Sequence, residues 1–154
     1  MGVKKYPLTP EEFKAIYAKV PRLNVEIILL SDKGVLLTKR AIEPCAGQWH
    51  IPGGTVRYRE YIENAVVRIA DKELSIAVNS FEIEGVIEYP NLIADGYGDP
   101  RGLVCVVRDF SGDIVIDEEA SEYRWFKIAP ESLLKDQTEF LLKQGFLEAK
   151  KIVK

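Results

Sequence analysis

Residues 49–76, WHIPGGTVRYREYIENAVVRIADKELSI, constrain this chain more than any other stretch. Trp49–Pro52 is a short apolar strand, and Gly53-Gly54 ends it as a turn. After Glu60, Ile62, Val66, Ile69 or Ala70, and Leu74 recur at three- and four-residue intervals, the repeat of an amphipathic helix. Residues 53–76 therefore read as a loop followed by a helix, with Glu60 on the incoming turn and Arg68 and Glu73 on the helix.

The flanking sequence supplies the other elements. Thr9-Pro10-Glu11-Glu12 opens a helix: Thr9 caps it, Pro10 takes the first helical position and Glu12 closes a capping box. This helix is predicted over about 9–20, with Pro21 stopping it. Leu23–Leu30 is a strand, Asp32-Lys33-Gly34 a turn, and Val35–Lys39 the returning strand. A Pro/Gly loop, Glu43–Gly47, leads into Trp49. Strands are predicted over Phe81–Tyr89 and Leu103–Phe110, shorter ones at Ile114–Ile116 and Tyr123–Lys127, and mostly helix from Glu131. The loop Pro90–Gly102 is long enough to be functional, and selectivity is expected to reside there. The pattern is α/β (α+β): a mixed sheet with helices on both sides, not alternating βαβ units. A chain of 154 residues reads as a single domain, residues 1–154.

Composition and missing motifs exclude much chemistry. The net charge of -3 argues against broad nucleic-acid binding, which needs a basic face. No apolar run reaches the ~18 residues of a membrane span and no signal-peptide pattern opens the chain, so no membrane association is expected. Cys45 and Cys105 are far apart and outside any CxxC pair, reading as free thiols of a cytoplasmic protein. The single histidine, His50, rules out His-cluster metal sites and H-E-x-x-H proteases, and it reads as a satisfied strand histidine. No G-x-S-x-G, G-x-x-x-x-G-K-[ST] or G-x-G-x-x-G occurs. What remains is Mg²⁺ or Mn²⁺ held by carboxylates, with arginines for phosphate.

Gly54, Glu60, Arg68 and Glu73 fall on the pattern G-x5-E-x7-R-E-U-x-E-E-x-G-U, where U is bulky and apolar. Ile69, Lys72 and Ser75 stand where the pattern has Glu, Glu and Gly. On these residues the chain resembles the Nudix (MutT-like) hydrolase superfamily, over about Leu23–Leu134. The resemblance implies an α/β/α sandwich and a small-molecule nucleotide substrate, a nucleoside diphosphate linked to another group, cleaved with Mg²⁺ or Mn²⁺. Thr38-Lys39-Arg40, Gly47-Gln48-Trp49, Pro52-Gly53-Gly54, Arg68 through Leu74 and Glu122-Tyr123-Arg124-Trp125 are similar to the GDP-mannose mannosyl hydrolase subgroup. That subgroup also keeps only the last glutamate of the signature, here Glu73.

By this resemblance the metal ligands are the Gly53 carbonyl, Glu73 and Glu119, where the subgroup has Gln in the third place. For Glu119 a solvated loop carboxylate is the alternative. Catalytic roles fall to Glu73, Glu119 and Arg68; Arg40, Glu26 and Arg57 bind substrate; Gly54 and Glu60 are structural. Arg40 matches an arginine that contacts the diphosphate, a solvated strand end being its alternative. Arg68 and Glu60 match a pair that orients the loop. Arg57 would share a strand face with Thr55, which stands where the subgroup has an arginine. Ala120 stands where the subgroup has its histidine base, leaving Glu119, Glu118, Asp117 or Glu26 as candidate bases. With Ile69 and Lys72 in place of two glutamates, and a cation beside Glu73, a single metal ion is expected. A homodimer is expected by resemblance.

The reading is a Mg²⁺-dependent hydrolase that releases a nucleoside diphosphate from a nucleotide sugar, with water attacking the sugar carbon. The alternative from another class is a catalytically weak nucleotide-binding module, a sensor or scaffold. A nucleotide-pool enzyme attacking phosphorus is a third.

Overall fold

The computed structural model describes residues 7–94 and 97–151. In chain order its elements are α1 (Pro10–Tyr17), β1 (Arg22–Ser31), β2 (Gly34–Arg40), β3 (Trp49–His50), β4 (Gly53–Thr55), α2 (Ile62–Leu74), β5 (Ala77–Glu88), α3 (Pro90–Ala94), β6 (Pro100–Ser111), β7 (Ala120–Phe126) and α4 (Lys135–Lys143).

Strand β1 organises a mixed seven-stranded sheet. It runs parallel to β6, from Arg22↔Pro100 to Leu29↔Val107. It is antiparallel to β4, with Glu26 opposite Gly53, and its far end turns into β2 through Leu30↔Val35. β5 pairs with β6 on the outside, while β3 and β7 both pair with β2. Residues 25–29 of β1 are all buried, as a central strand covered on both faces requires. Val25, Ile27 and Leu29 pack with Ala65, Val66, Ile69, Ala70 and Leu74 of α2. Ile28, Val104 and Val106 face the other way, toward Leu133, Leu141 and Leu147. The sheet thus lies between α2 and α4, the α/β/α layering expected from the sequence.

Several boundaries differ from the sequence expectation, each for a local reason. The capping box at α1 forms as written, Thr9 Oγ1 accepting from Glu12 N at 3.2 Å. The helix stops at Tyr17, with Ala18 as its cap, before Pro21 can act. Gly53–Thr55 is a strand rather than loop, because β1 offers it a partner. Residues 90–102 form no long loop: α3 occupies the first five and β6 begins at Pro100; Asp95 and Gly96 lie outside the described residues. Ile114–Ile116 belongs to no strand; Ile114 and Ile116 pack on the α2 core, and Val115 N donates to the Leu74 carbonyl at 3.0 Å. Among the described residues beyond Glu131 only Lys135–Lys143 is helical, since Ser132 and Leu134 hydrogen-bond to Trp49 instead.

Ser75 explains one departure from the signature. It caps α2 in the left-handed region, φ 58°, where glycine is the least strained residue. Its hydroxyl donates to the Val115 carbonyl at 3.0 Å, fixing the exit of the helix.

Candidate functional site

The α2 helix sets one side of the site. Its apolar face is anchored in the core, Ile69 being 1% exposed, so a carboxylate at that position would face packed hydrocarbon. Glu73, one turn on, points out of the core toward the turn that precedes β7. There Asp117 and Glu119 meet it: one carboxylate oxygen from each of the three lies within 4.8 Å of the others. The turn is held by Glu119 N donating to Asp117 Oδ1 at 3.1 Å, and by Ala41 N donating to the Glu119 carbonyl at 2.9 Å. Burial, followed by the nearby Asp117, pushes the Glu73 carboxyl up to about 7. Asp117 is also raised, first by burial. Lys72 Nζ lies 3.4 Å from Glu119 Oε2 and 3.8 Å from Asp117 Oδ2.

An all-oxygen set carrying this much negative charge fits a hard divalent cation. Of the ligands expected from sequence, the fold brings Glu73 and Glu119 together. Gly53 sits on β4 within the same cleft wall as Glu119. Asp117, which sequence reasoning carried only as a candidate base, joins the two glutamates. The signal was the acidic run 117–119 itself, but only the turn decides which of its members face α2.

Glu60 precedes the helix and pairs with Arg68 through two bonds, Nε to Oε2 at 2.8 Å and Nη2 to Oε1 at 2.9 Å. Arg68 also donates to the Thr55 carbonyl at 3.0 Å, and Glu60 accepts from Arg57 N at 3.1 Å. These bonds close the 55–60 loop onto α2, and the Arg68 guanidinium holds the Glu60 carboxyl below its ordinary range. Arg68 acts here on the loop. β4 ends at Thr55, so Arg57 lies in that loop and does not share a strand face with Thr55. It lines a second cleft with Arg68, Lys72, Glu73 and Glu119.

The cleft over β1 has a volume of about 470 Å³ and includes Phe13, Arg22, Asn24, Glu26, Arg40, His50 and Glu119 in its walls. Arg40 stands at the bulged end of β2, its Nε donating to the Pro44 carbonyl at 2.6 Å. His50 Nε2 lies 3.0 Å from Thr38 Oγ1; desolvation and the Arg40 charge push it down to about 3, so it stays neutral.

Glu26 forms the floor, 5% exposed. Tyr89 Oη donates to Glu26 Oε1 at 2.7 Å, Gln137 Nε2 donates to Tyr89 Oη at 2.9 Å, and Ile51 N donates to Gln137 Oε1 at 2.7 Å. Two glycines make the slot. A Cβ on Gly53 would fall 2.5 Å from Glu26 Oε2, and one on Gly102 would fall 2.5 Å from Glu26 Cγ. Desolvation dominates here too, raising the Glu26 carboxyl to about 7 against the opposing bond from Tyr89. Neither Tyr89 nor Gln137 carries a sequence signal; both come from elements remote from β1.

Cys105 is a free thiol, buried in the core. No helix among the described residues is long and apolar enough to cross a membrane.

Comparison with known proteins follows the same geometry. A stretch of 79 residues is 39% identical to the low-salt glycan biosynthesis protein Agl8 of Haloferax volcanii, covering 51% of each chain. Over 112 residues the chain is 30% identical to an ADP-ribose pyrophosphatase of Methanocaldococcus jannaschii, covering 70% of this chain and 63% of that one. The chain therefore matches between half and two thirds of the length of these relatives. The structure of a MutT NUDIX hydrolase from Burkholderia pseudomallei superposes with a TM-score of 0.74 at 29% identity, over 82% of this chain and 98% of that one. The NUDIX domain profile matches residues 20–144, from the start of the sheet through α2 and the carboxylate cluster to the end of α4, and the chain belongs to that family.

Proposed function

We propose that this protein is a divalent-metal-dependent hydrolase of a nucleoside diphosphate linked to a sugar. The observation that carries the reading is the convergence of Glu73, Asp117 and Glu119 beside a cleft with an arginine, Arg40, in its wall. Mg²⁺ or Mn²⁺ is the expected ion, held by these carboxylates with the Gly53 carbonyl as a further oxygen. When bound, it supplies positive charge to the diphosphate oxygens.

The protein's own groups then have distinct tasks. The Arg40 bond to Pro44 uses Nε, so its terminal amino groups are the donors offered to a phosphate. Glu26, held by Tyr89, presents its other oxygen beside Gly53 and suits a hydroxyl of the sugar or ribose. The Glu60–Arg68 pair keeps the 55–60 loop in place without touching the reacting atoms. With His50 neutral and bonded to Thr38, proton transfer falls to a carboxylate, and of the candidates Glu26, Asp117, Glu118 and Glu119, only Glu26 and Glu118 stand outside the metal cluster. The relatives named for glycan biosynthesis and for ADP-ribose are consistent with a nucleotide-sugar substrate.

The test is turnover of a panel of nucleotide sugars and ADP-ribose with Mg²⁺ in ¹⁸O-water. Label in the sugar with release of a nucleoside diphosphate is the expected product pattern and means attack at carbon. Label in a phosphate would replace that mechanism by attack at phosphorus. Saturable nucleotide binding without turnover would overturn the enzyme reading in favour of a binding module.

A further inference from the structure

The signature helix carries a lysine where a carboxylate would add a metal ligand, and the structure shows where that lysine's charge goes. Lys72 does not simply point to solvent. Its ammonium lies 3.4 Å from Glu119 Oε2 and 3.8 Å from Asp117 Oδ2, two of the three carboxylates in the cluster. Both partners come from the turn before β7, some 45 residues away in sequence, while Glu73 lies next to Lys72 in the chain. We propose that the Lys72 ammonium is a tethered counter-ion that takes the place of a second metal ion and limits the Glu73, Asp117 and Glu119 centre to one divalent cation. The inference rests on the metal-dependent reading above and deepens it.

Charge balance supports this. Three ionised carboxylates and one ammonium leave a formal charge of about -2, which a single divalent ion neutralises. A second divalent ion shared by Asp117 and Glu119 would compete for the carboxylate oxygens that Lys72 already contacts. It would meet like charge at a few ångströms and would have to displace an ammonium whose stem is anchored on α2. Ile69 removes the other route to a second ion: it is buried against the core and 3.2 Å from where a Gly54 Cβ would lie, so that position offers no oxygen.

Mn²⁺ binding to the full chain tests this directly, by calorimetry and by the loss of the free-ion paramagnetic resonance signal. Lys72→Met removes the charge, keeps the stem length and preserves helix propensity on a half-exposed face, and thermal melts report whether it folds. Wild type is expected to bind one ion. Lys72→Met is expected to bind a second ion about 10- to 100-fold more tightly than wild type binds any second ion. Lys72→Arg, which keeps the charge, is expected to return to one ion. One ion in wild type and no gain in Lys72→Met overturns the counter-ion role and leaves the metal reading standing. Two ions in wild type overturns the counter-ion role likewise. No ion in wild type overturns both.

Discussion

Replacing Glu26 by Gln isolates the energetic cost of the carboxylate on the cleft floor. Burial raises its folded-state value from 4.5 to about 7. Between those values the unfolded chain has ionised at this position while the folded chain stays protonated, so the folded form binds the extra proton. Stability linked to Glu26 is therefore fully present below about pH 4.5, falls as pH rises, and is lost above about 7. At about 1.36 kcal/mol per pH unit the loss comes to about 3 kcal/mol. Gln keeps a carbonyl oxygen to accept from Tyr89 and has no charge to desolvate. The difference in unfolding free energy, Glu26→Gln minus wild type, should grow by about 3 kcal/mol between about pH 4.5 and pH 8.5. Urea titrations across that range read it; Glu73 titrates in both proteins, and its charge is a smaller contributor to the Glu26 shift than burial. Parallel stability curves for the two proteins would refute a desolvated carboxyl here.

Other consequences are equally direct. Gln137→Leu leaves the buried Ile51 N–H without its acceptor and Tyr89 without its donor, and should cost about 2–4 kcal/mol in urea unfolding. Arg68→Ala removes the bidentate partner of Glu60 and frees the 55–60 loop; a loss of about 1.5–3 kcal/mol is expected, with hydrogen exchange at Arg57 N rising as the loop opens. Because Arg68 holds the Glu60 carboxyl low, the stability this pair adds is present at neutral pH and lost in acid, so wild type and Arg68→Ala should converge there. Asp117→Asn should weaken Mn²⁺ binding about 10- to 100-fold, whereas Glu118→Gln, outside the carboxylate cluster, should leave it nearly unchanged.

The parts of this protein legible in sequence are those whose chemistry is local. The capping box of α1 needs only Thr9 and Glu12 three residues apart, and α2 declares itself through the helical spacing of Val66, Ile69, Ala70 and Leu74. Where a partner strand decides, sequence falls short: Gly53–Thr55 pairs with β1, while Ile114 and Ile116 bury the same kind of side chain against α2 without pairing at all. The site divides in the same way. Glu73 is marked by its place on the helix, but Asp117 becomes its neighbour only when the 117–119 turn folds over α2. The Glu26–Tyr89–Gln137 chain joins the centre of β1, the residue after β5 and the first turn of α4, positions that no short pattern links.

The glycine slot around Glu26 ties positions 26 and 102 into one evolutionary unit. At residue 102 even a methyl group collides with the glutamate alone, so that glycine cannot drift while the long side chain remains; at 53 a methyl group also meets the Val25 backbone carbonyl at 2.6 Å, so that glycine is held whatever stands at 26. The order of change matters: position 26 would have to shorten before position 102 could gain any side chain, and a lengthening at 26 would be accessible only to a chain already holding both glycines. Substitutions at 26 and 102 should therefore be non-additive, each permitted or forbidden by the state of the other. A laboratory attempt to reshape this cleft for another substrate is best started at residue 26, because the walls cannot move first.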